Sequence, residues 1–86
     1  MFDIKFTDRA LEDLRVFSKV EQKRIVAALE SELTLGAASE TDDRKRLHPN
    51  GLGEWEIRFG KIRVFYDVDI ENGTVKIEAV GKKFFI

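Results

Sequence analysis

The chain has 86 residues, enough for one domain with one modest core. It has no cysteine and one histidine, His48, which excludes disulfides, thiolate metal sites and any centre that needs two imidazoles. The formal net charge is −1, with nine Lys and Arg against ten Asp and Glu in residues 1–53 and six against six in residues 54–86, so a generally basic nucleic-acid coat is excluded.

Contact with nucleic acid must therefore use a local patch. Hydrophobic content of 43% beside 36% charged residues describes a globular chain, not a disordered one. No apolar run approaches the roughly 18 residues of a membrane helix. Met1 leads directly into a strand-like pattern, so a cytoplasmic location without a membrane partner is expected.

Phe2, Ile4 and Phe6 alternate with polar neighbours and predict a first strand. Thr7 or Asp8 can cap a following helix, whose apolar stripe runs through Ala10, Leu11, Leu14 and Phe17. Ser18-Lys19-Val20-Glu21 matches a capping box and starts a second helix, with Ile25, Ala28, Leu29 and Leu33 on one face and Gly36 as its stop. The two helices should form a hairpin packed on a sheet, with Glu21, Lys23, Arg24, Glu30 and Glu32 solvated.

Residues 37–53, with Pro49, Asn50, Gly51 and Gly53, predict a loop. Arg44, Lys45 and Arg46 form a compact basic cluster within it that could hold phosphate. Two alternating runs follow. Trp55, Ile57 and Phe59 share one face while Glu54, Glu56 and Arg58 share the other; after Gly60, Ile62, Val64, Tyr66 and Val68 oppose Lys61, Arg63, Phe65, Asp67 and Asp69. Asn72-Gly73 predicts a tight hairpin into a last strand, Thr74 to Val80, with Val75, Ile77 and Ala79 inward and a bend or bulge at Gly81. The order is β-α-α-β-β-β, an α+β fold with an N-terminal strand, a two-helix hairpin and a three- to four-stranded antiparallel sheet.

Few constellations carry chemistry. Gly51-x-Gly53 alone is a turn, not a phosphate loop, and a nucleophilic triad lacks a base because His48 stands alone on a loop. Paired carboxylates for a metal exist only as Asp67 with Asp69 or Asp42 with Asp43, and both pairs suit ordinary strand ends and loops; no metal or cofactor is expected. The outward face of the two middle strands is different. Glu56 and Arg58 project together, and a turn at Gly60-Lys61 brings Arg63 beside them. A carboxylate beside guanidinium groups can cleave RNA without metal: the carboxylate takes the 2′-hydroxyl proton and the arginines stabilise the phosphorane. By spacing alone the simpler reading of the same residues is a cross-strand ion pair on a solvated face.

Phe6-Thr7-x-x-Ala10-Leu11-x-x-Leu14, Trp55-Glu56-Ile57-Arg58-x-Gly60-x-Ile62-Arg63-Val64-x-Tyr66-x-Val68 and Val80-Gly81-Lys82-Lys83 together resemble the RelE/ParE superfamily of toxins from bacterial type II toxin–antitoxin systems, often described as plasmid stabilisation proteins. The middle block is the specific part, and the likeness is closer to the RelE branch. The resemblance implies one toxin domain over residues 1–86, with a fold like that of small microbial ribonucleases. It implies a metal-independent endoribonuclease that cuts mRNA in the ribosomal A site. The implied partners are that ribosome and a cognate antitoxin, with which the toxin forms a heterotetramer. By the same resemblance Arg63 binds the scissile phosphate, Glu56 is the general base, Arg58 a second basic residue, and Lys83, or Lys82 in a shifted register, a further phosphate ligand. Active relatives carry a tyrosine or histidine in a C-terminal extension, whereas Phe84, Phe85 and Ile86 follow Lys83 here; a phenylalanine can stack on a base but cannot donate a proton, so the leaving group has no assigned acid. An inhibitor of DNA gyrase of the ParE type, or an inactive binding member of the superfamily, is the alternative.

Overall fold

The structure, a computed structural model, describes residues 1–82. Its elements are β1 (Asp3–Phe6), α1 (Asp8–Leu14), α2 (Lys19–Gly36), β2 (Arg44–Arg46), β3 (Trp55–Phe59), β4 (Ile62–Asp69) and β5 (Thr74–Lys82). The strands form one five-stranded sheet in the order β1-β5-β4-β3-β2. β1 runs parallel to β5 and the remaining pairs are antiparallel. The parallel pair follows from topology: the helices carry the chain across one face before it returns beside its own first strand.

Capping chemistry starts both helices. Thr7 Oγ1 accepts from the Ala10 N–H, and Ser18 and Glu21 complete the reciprocal capping box. Ala10, Leu14, Phe17, Ile25, Leu29 and Leu33 then pack on Trp55, Ile57, Val64, Tyr66, Val75, Ile77 and Val80 of the sheet. Leu11 departs from the expected stripe: α1 is only seven residues long, and Leu11 is 49% exposed. Among the described residues no helix is long and apolar enough to cross a membrane.

Three expectations need correction. The segment 37–53 contains a strand, β2, whose turn-rich surroundings hide three consecutive basic residues paired with Trp55, Glu56 and Ile57. Gly36 does not stop α2 by adopting a left-handed conformation; a Cβ there would lie 2.7 Å from Arg44 Nη2, so its smallness admits the guanidinium. The irregularity in β5 falls at Glu78, not Gly81: Phe65 pairs with Ala79 but Tyr66 with Ile77, leaving Glu78 without a partner across the ladder. One extra residue switches faces. Val75, Ile77 and Val80 belong to the core cluster, while Ala79, expected inward, lies opposite Phe65 on the other side.

The loop between β4 and β5 also differs from the predicted two-residue turn. Asp69 pairs with Thr74, so four residues intervene, and only Gly73 has a positive φ, 64°. The Asp69 carboxylate accepts from both the backbone N–H and the Nδ2 of Asn72, which gives the asparagine a role other than left-handed turn residue.

Candidate functional site

β3 and β4 are joined by Gly60-Lys61, with Gly60 at φ 61° as the first central residue of a two-residue hairpin. That turn fixes the register Arg58 to Arg63 and Glu56 to Phe65, on the face turned away from the helices. Two guanidinium groups directly opposite one another repel. The Glu56 carboxylate lies between them: Oε1 accepts from Arg58 Nε at 2.5 Å, and Oε2 accepts from Arg63 Nε at 2.8 Å and Nη2 at 2.5 Å. Arg63 also stacks on Phe65, 5.3 Å from the ring centroid.

Glu56 is only 3% exposed, although it belongs to the face that sequence alternation marks as outward. Burial opposes its ionisation. Hydrogen bonds from Arg58 and then Arg63, reinforced by their charges, outweigh that cost and hold its pKa below the ordinary carboxylate value. The carboxylate is thus kept charged and fully engaged. Half of the Arg58 side chain and about a third of the Arg63 side chain remain exposed. Among the described residues the Nη groups of Arg58 and Nη1 of Arg63 have no hydrogen-bond partner, so a phosphate can approach two guanidiniums already held side by side.

The basic cluster Arg44-Lys45-Arg46 is divided by β2. Arg44 is buried against the helix side, where Nη1 donates to the Glu32 carbonyl at 3.0 Å and carboxylate at 2.8 Å and Nε to the Ser39 carbonyl at 3.1 Å. Its expected place in an RNA-binding cluster is corrected: it closes the end of α2 against the sheet edge. Arg46 pairs with Trp55 in register and meets Glu54 at 3.3 Å. Lys45 alone of the three falls on the face of Glu56, directly opposite it across the β2–β3 ladder.

Lys82 lies apart from Glu56, Arg58 and Arg63. It pairs with Ile62, its ammonium lies 3.5 Å from Glu21 and 5.3 Å from the Phe17 ring centroid, and it therefore serves the helix side of the sheet. Lys83, Phe84 and Phe85 lie outside the described residues. His48 is exposed, and its carbonyl accepts from Asn50 Nδ2 in a loop that Asn50 organises by also binding the Leu52 and Gly53 N–H groups. Among the described residues no group of three or more His, Cys, Asp or Glu could hold a metal ion.

The alternation did not disclose a second feature of this face. The bulged Glu78 is turned toward Asp67 of the next strand. The neighbouring Asp67 carboxyl, followed by burial, raises the Glu78 pKa against the opposing pull of Lys76 and Arg9. Both acids line a groove of about 700 Å³ between Thr7 and Arg9 on one side and the Pro49–Gly53 loop on the other. The groove excludes Glu56, Arg58 and Arg63, which lie on an open strand face suited to a polymer more than to a small molecule.

A family model described as ParE toxin of type II toxin-antitoxin system, parDE, matches residues 4–83. No curated protein matches the chain. Among solved structures it is similar to the toxin–antitoxin complex RelBE2 from Mycobacterium tuberculosis, with TM-score 0.81 and 24% identity over 95% of this chain and 98% of that one. The isolated RelE toxin of E. coli gives TM-score 0.73 and 20% identity, covering 100% and 88%. At these identities both speak to the fold. The heterotetrameric YoeB-YefM toxin-antitoxin complex of Staphylococcus aureus gives TM-score 0.66 and 27% identity, covering 100% and 99%.

Proposed function

Since the chain belongs to the ParE toxin family of type II toxin–antitoxin systems, and so has a cognate antitoxin as its partner, we propose that it silences translation as a metal-independent endoribonuclease acting on mRNA in the ribosomal A site. The observation that carries this reading is the Glu56 carboxylate clasped by Arg58 and Arg63 on an exposed strand face.

The resting arrangement supplies a sequence of events. A phosphodiester approaching the cluster offers its oxygens to the free N–H groups of Arg58 and Arg63. As the guanidiniums turn to it, the hydrogen bonds that keep Glu56 ionised weaken and its proton affinity rises. Glu56 then takes the proton of the ribose 2′-hydroxyl while O2′ attacks phosphorus, and the arginines stabilise the charge that builds on the phosphorane. The P–O5′ bond breaks, leaving a 2′,3′-cyclic phosphate and a 5′-oxygen that must acquire a proton. The whole chain carries a net charge of −1, too little to gather RNA unaided, which accords with an mRNA presented by the ribosome.

Purified ribosomes carrying a defined mRNA test the reading. The wild type should cut in the A site, Arg63→Ala should cut about 100- to 1,000-fold more slowly, and Glu56→Gln about 100-fold more slowly. Intact mRNA with wild-type protein would sink the nuclease reading. Two observations favour a second reading: the matching family model is that of ParE, and a fully ion-paired Glu56 also suits a surface that binds without catalysis. Inhibition of DNA gyrase supercoiling with mRNA left whole would establish it.

A further inference from the structure

We propose that Lys45 is the general acid that protonates the leaving 5′-oxygen. The inference rests on the nuclease reading and arises from a strand that the sequence pattern concealed.

Three observations place Lys45 for this role. It lies directly opposite Glu56 in the β2–β3 register. The flanking bonds Leu47 N–H to Glu54 carbonyl and Arg58 N–H to Asp43 carbonyl make this a hydrogen-bonded pair of the antiparallel ladder, with Cα atoms about 5.5 Å apart. Its backbone is held on both sides. Arg44 is pinned inward by Glu32 and Ser39, its N–H donates to Thr41 Oγ1 and its carbonyl accepts from the Thr41 N–H, so alternation turns Lys45 outward. Its side chain is exposed and, among the described residues, free of ion pairs. The fold has fixed the stem and left the ammonium available on its flexible four-carbon chain.

Four other cations on the described part of the sheet are less suited. Lys82 is on the helix side with Glu21, and Lys76 pairs with Glu78 at 4.0 Å. Arg58 and Arg63 hold phosphate well, but a guanidinium gives up a proton far less readily than an ammonium.

The step balances. Glu56 gains the 2′-hydroxyl proton as the O2′–P bond forms; the P–O5′ bond breaks and O5′ takes a proton from the Lys45 ammonium. The products are a 2′,3′-cyclic phosphate and a free 5′-hydroxyl. Glu56 returns its proton, and the Lys45 amine regains one, through solvent.

A sulfur leaving group separates proton donation from phosphate binding, because a thiolate departs without protonation. Ribosomes would be programmed with two mRNAs that differ only in one bridging atom at the A-site linkage, 5′-oxygen or 5′-sulfur. With Lys45→Ala, cleavage of the oxygen linkage should fall about 100-fold while the sulfur linkage is cut at close to the wild-type rate. Lys45→Arg should bind non-cleavable 2′-deoxy mRNA as the wild type does yet remain slow on oxygen and fast on sulfur. Equal slowing of both linkages by Lys45→Ala would make Lys45 a phosphate ligand and overturn the proposal. Unchanged cleavage of both would also overturn it. If wild-type protein cuts neither linkage, the nuclease reading fails first and takes this inference with it. Lys45 is exposed, so each variant should keep the wild-type unfolding midpoint.

Discussion

Two glutamates on one sheet face have pKa values shifted in opposite directions, and each shift leaves its own mark on stability. Glu56 is held below its usual pKa, so its contribution is full above the unfolded value of about 4.3 and is lost as pH falls through the lower folded one. At pH 7, Glu56→Gln should cost about 1–2 kcal/mol, the low end for charge-assisted bonds because both arginines are partly in water. Glu78 is the reverse. Its folded pKa is raised by Asp67, so the native state binds the proton more tightly and loses stability as pH rises through that value. Glu78→Gln should therefore raise the urea midpoint at pH 7, and that gain should vanish near pH 3, where both states are protonated. A gain at pH 3 as large as that at pH 7 would contradict the carboxyl–carboxyl contact. The alternation made Glu56, Arg58 and Arg63 legible as one group, because strand period and a glycine turn are local properties. Lys45 was legible only as part of a basic run, because no local signal gives a three-residue edge strand its register.

At the scale of elements, the join between α2 and β2 depends on one arginine and one glycine. Arg44 places three hydrogen bonds on Glu32 and Ser39, and Gly36 leaves room for its guanidinium. Arg44→Ala should cost about 2–3 kcal/mol through lost charged hydrogen bonds. Gly36→Ala normally strengthens a helix by up to about 1 kcal/mol. Here it should destabilise the wild type, because the new Cβ collides with a guanidinium that is not free to move, and stabilise the Arg44→Ala background. A double-mutant cycle by denaturant unfolding reads the change of sign; additive effects would show that the two residues do not meet. From sequence, Gly36 looked like a helix stop and Arg44 like one member of a phosphate-holding basic cluster, since each signal is explained only by the other residue. The bulge at Glu78 has the same character. Alternation from Val75 predicts Ala79 inward, and only pairing with β4 moves the core position to Val80.

Over the whole molecule, charge is balanced in total and uneven in place. The candidate face offers Lys45, Arg58 and Arg63 against Glu56, while Asp67 and Glu78 stand beyond Phe65 and Ala79. Free single-stranded RNA should accordingly bind weakly and release few counterions. With about two phosphates neutralised, log K against log salt should slope at about −1.4. Fluorescence anisotropy with a short 2′-deoxy oligomer at several salt concentrations measures it; a slope steeper than about −3 would reveal a broad basic footprint that this face does not have.

The chain by itself determined the elements whose signals are short in range. Helix caps, helical stripes, strand alternation and the Gly60 hairpin all act within a few residues, so they name the helices, the two middle strands and the three residues that meet on them. The tertiary structure alone decided what depends on pairing between distant segments. It set β1 parallel to β5, made a strand of Arg44–Arg46, moved the register at Glu78, and buried Arg44 while leaving Lys45 beside Glu56. The physical reason is that a strand's register and facing are properties of its partner, and a buried cation is tolerated only where carbonyls and a carboxylate from another element are waiting for it.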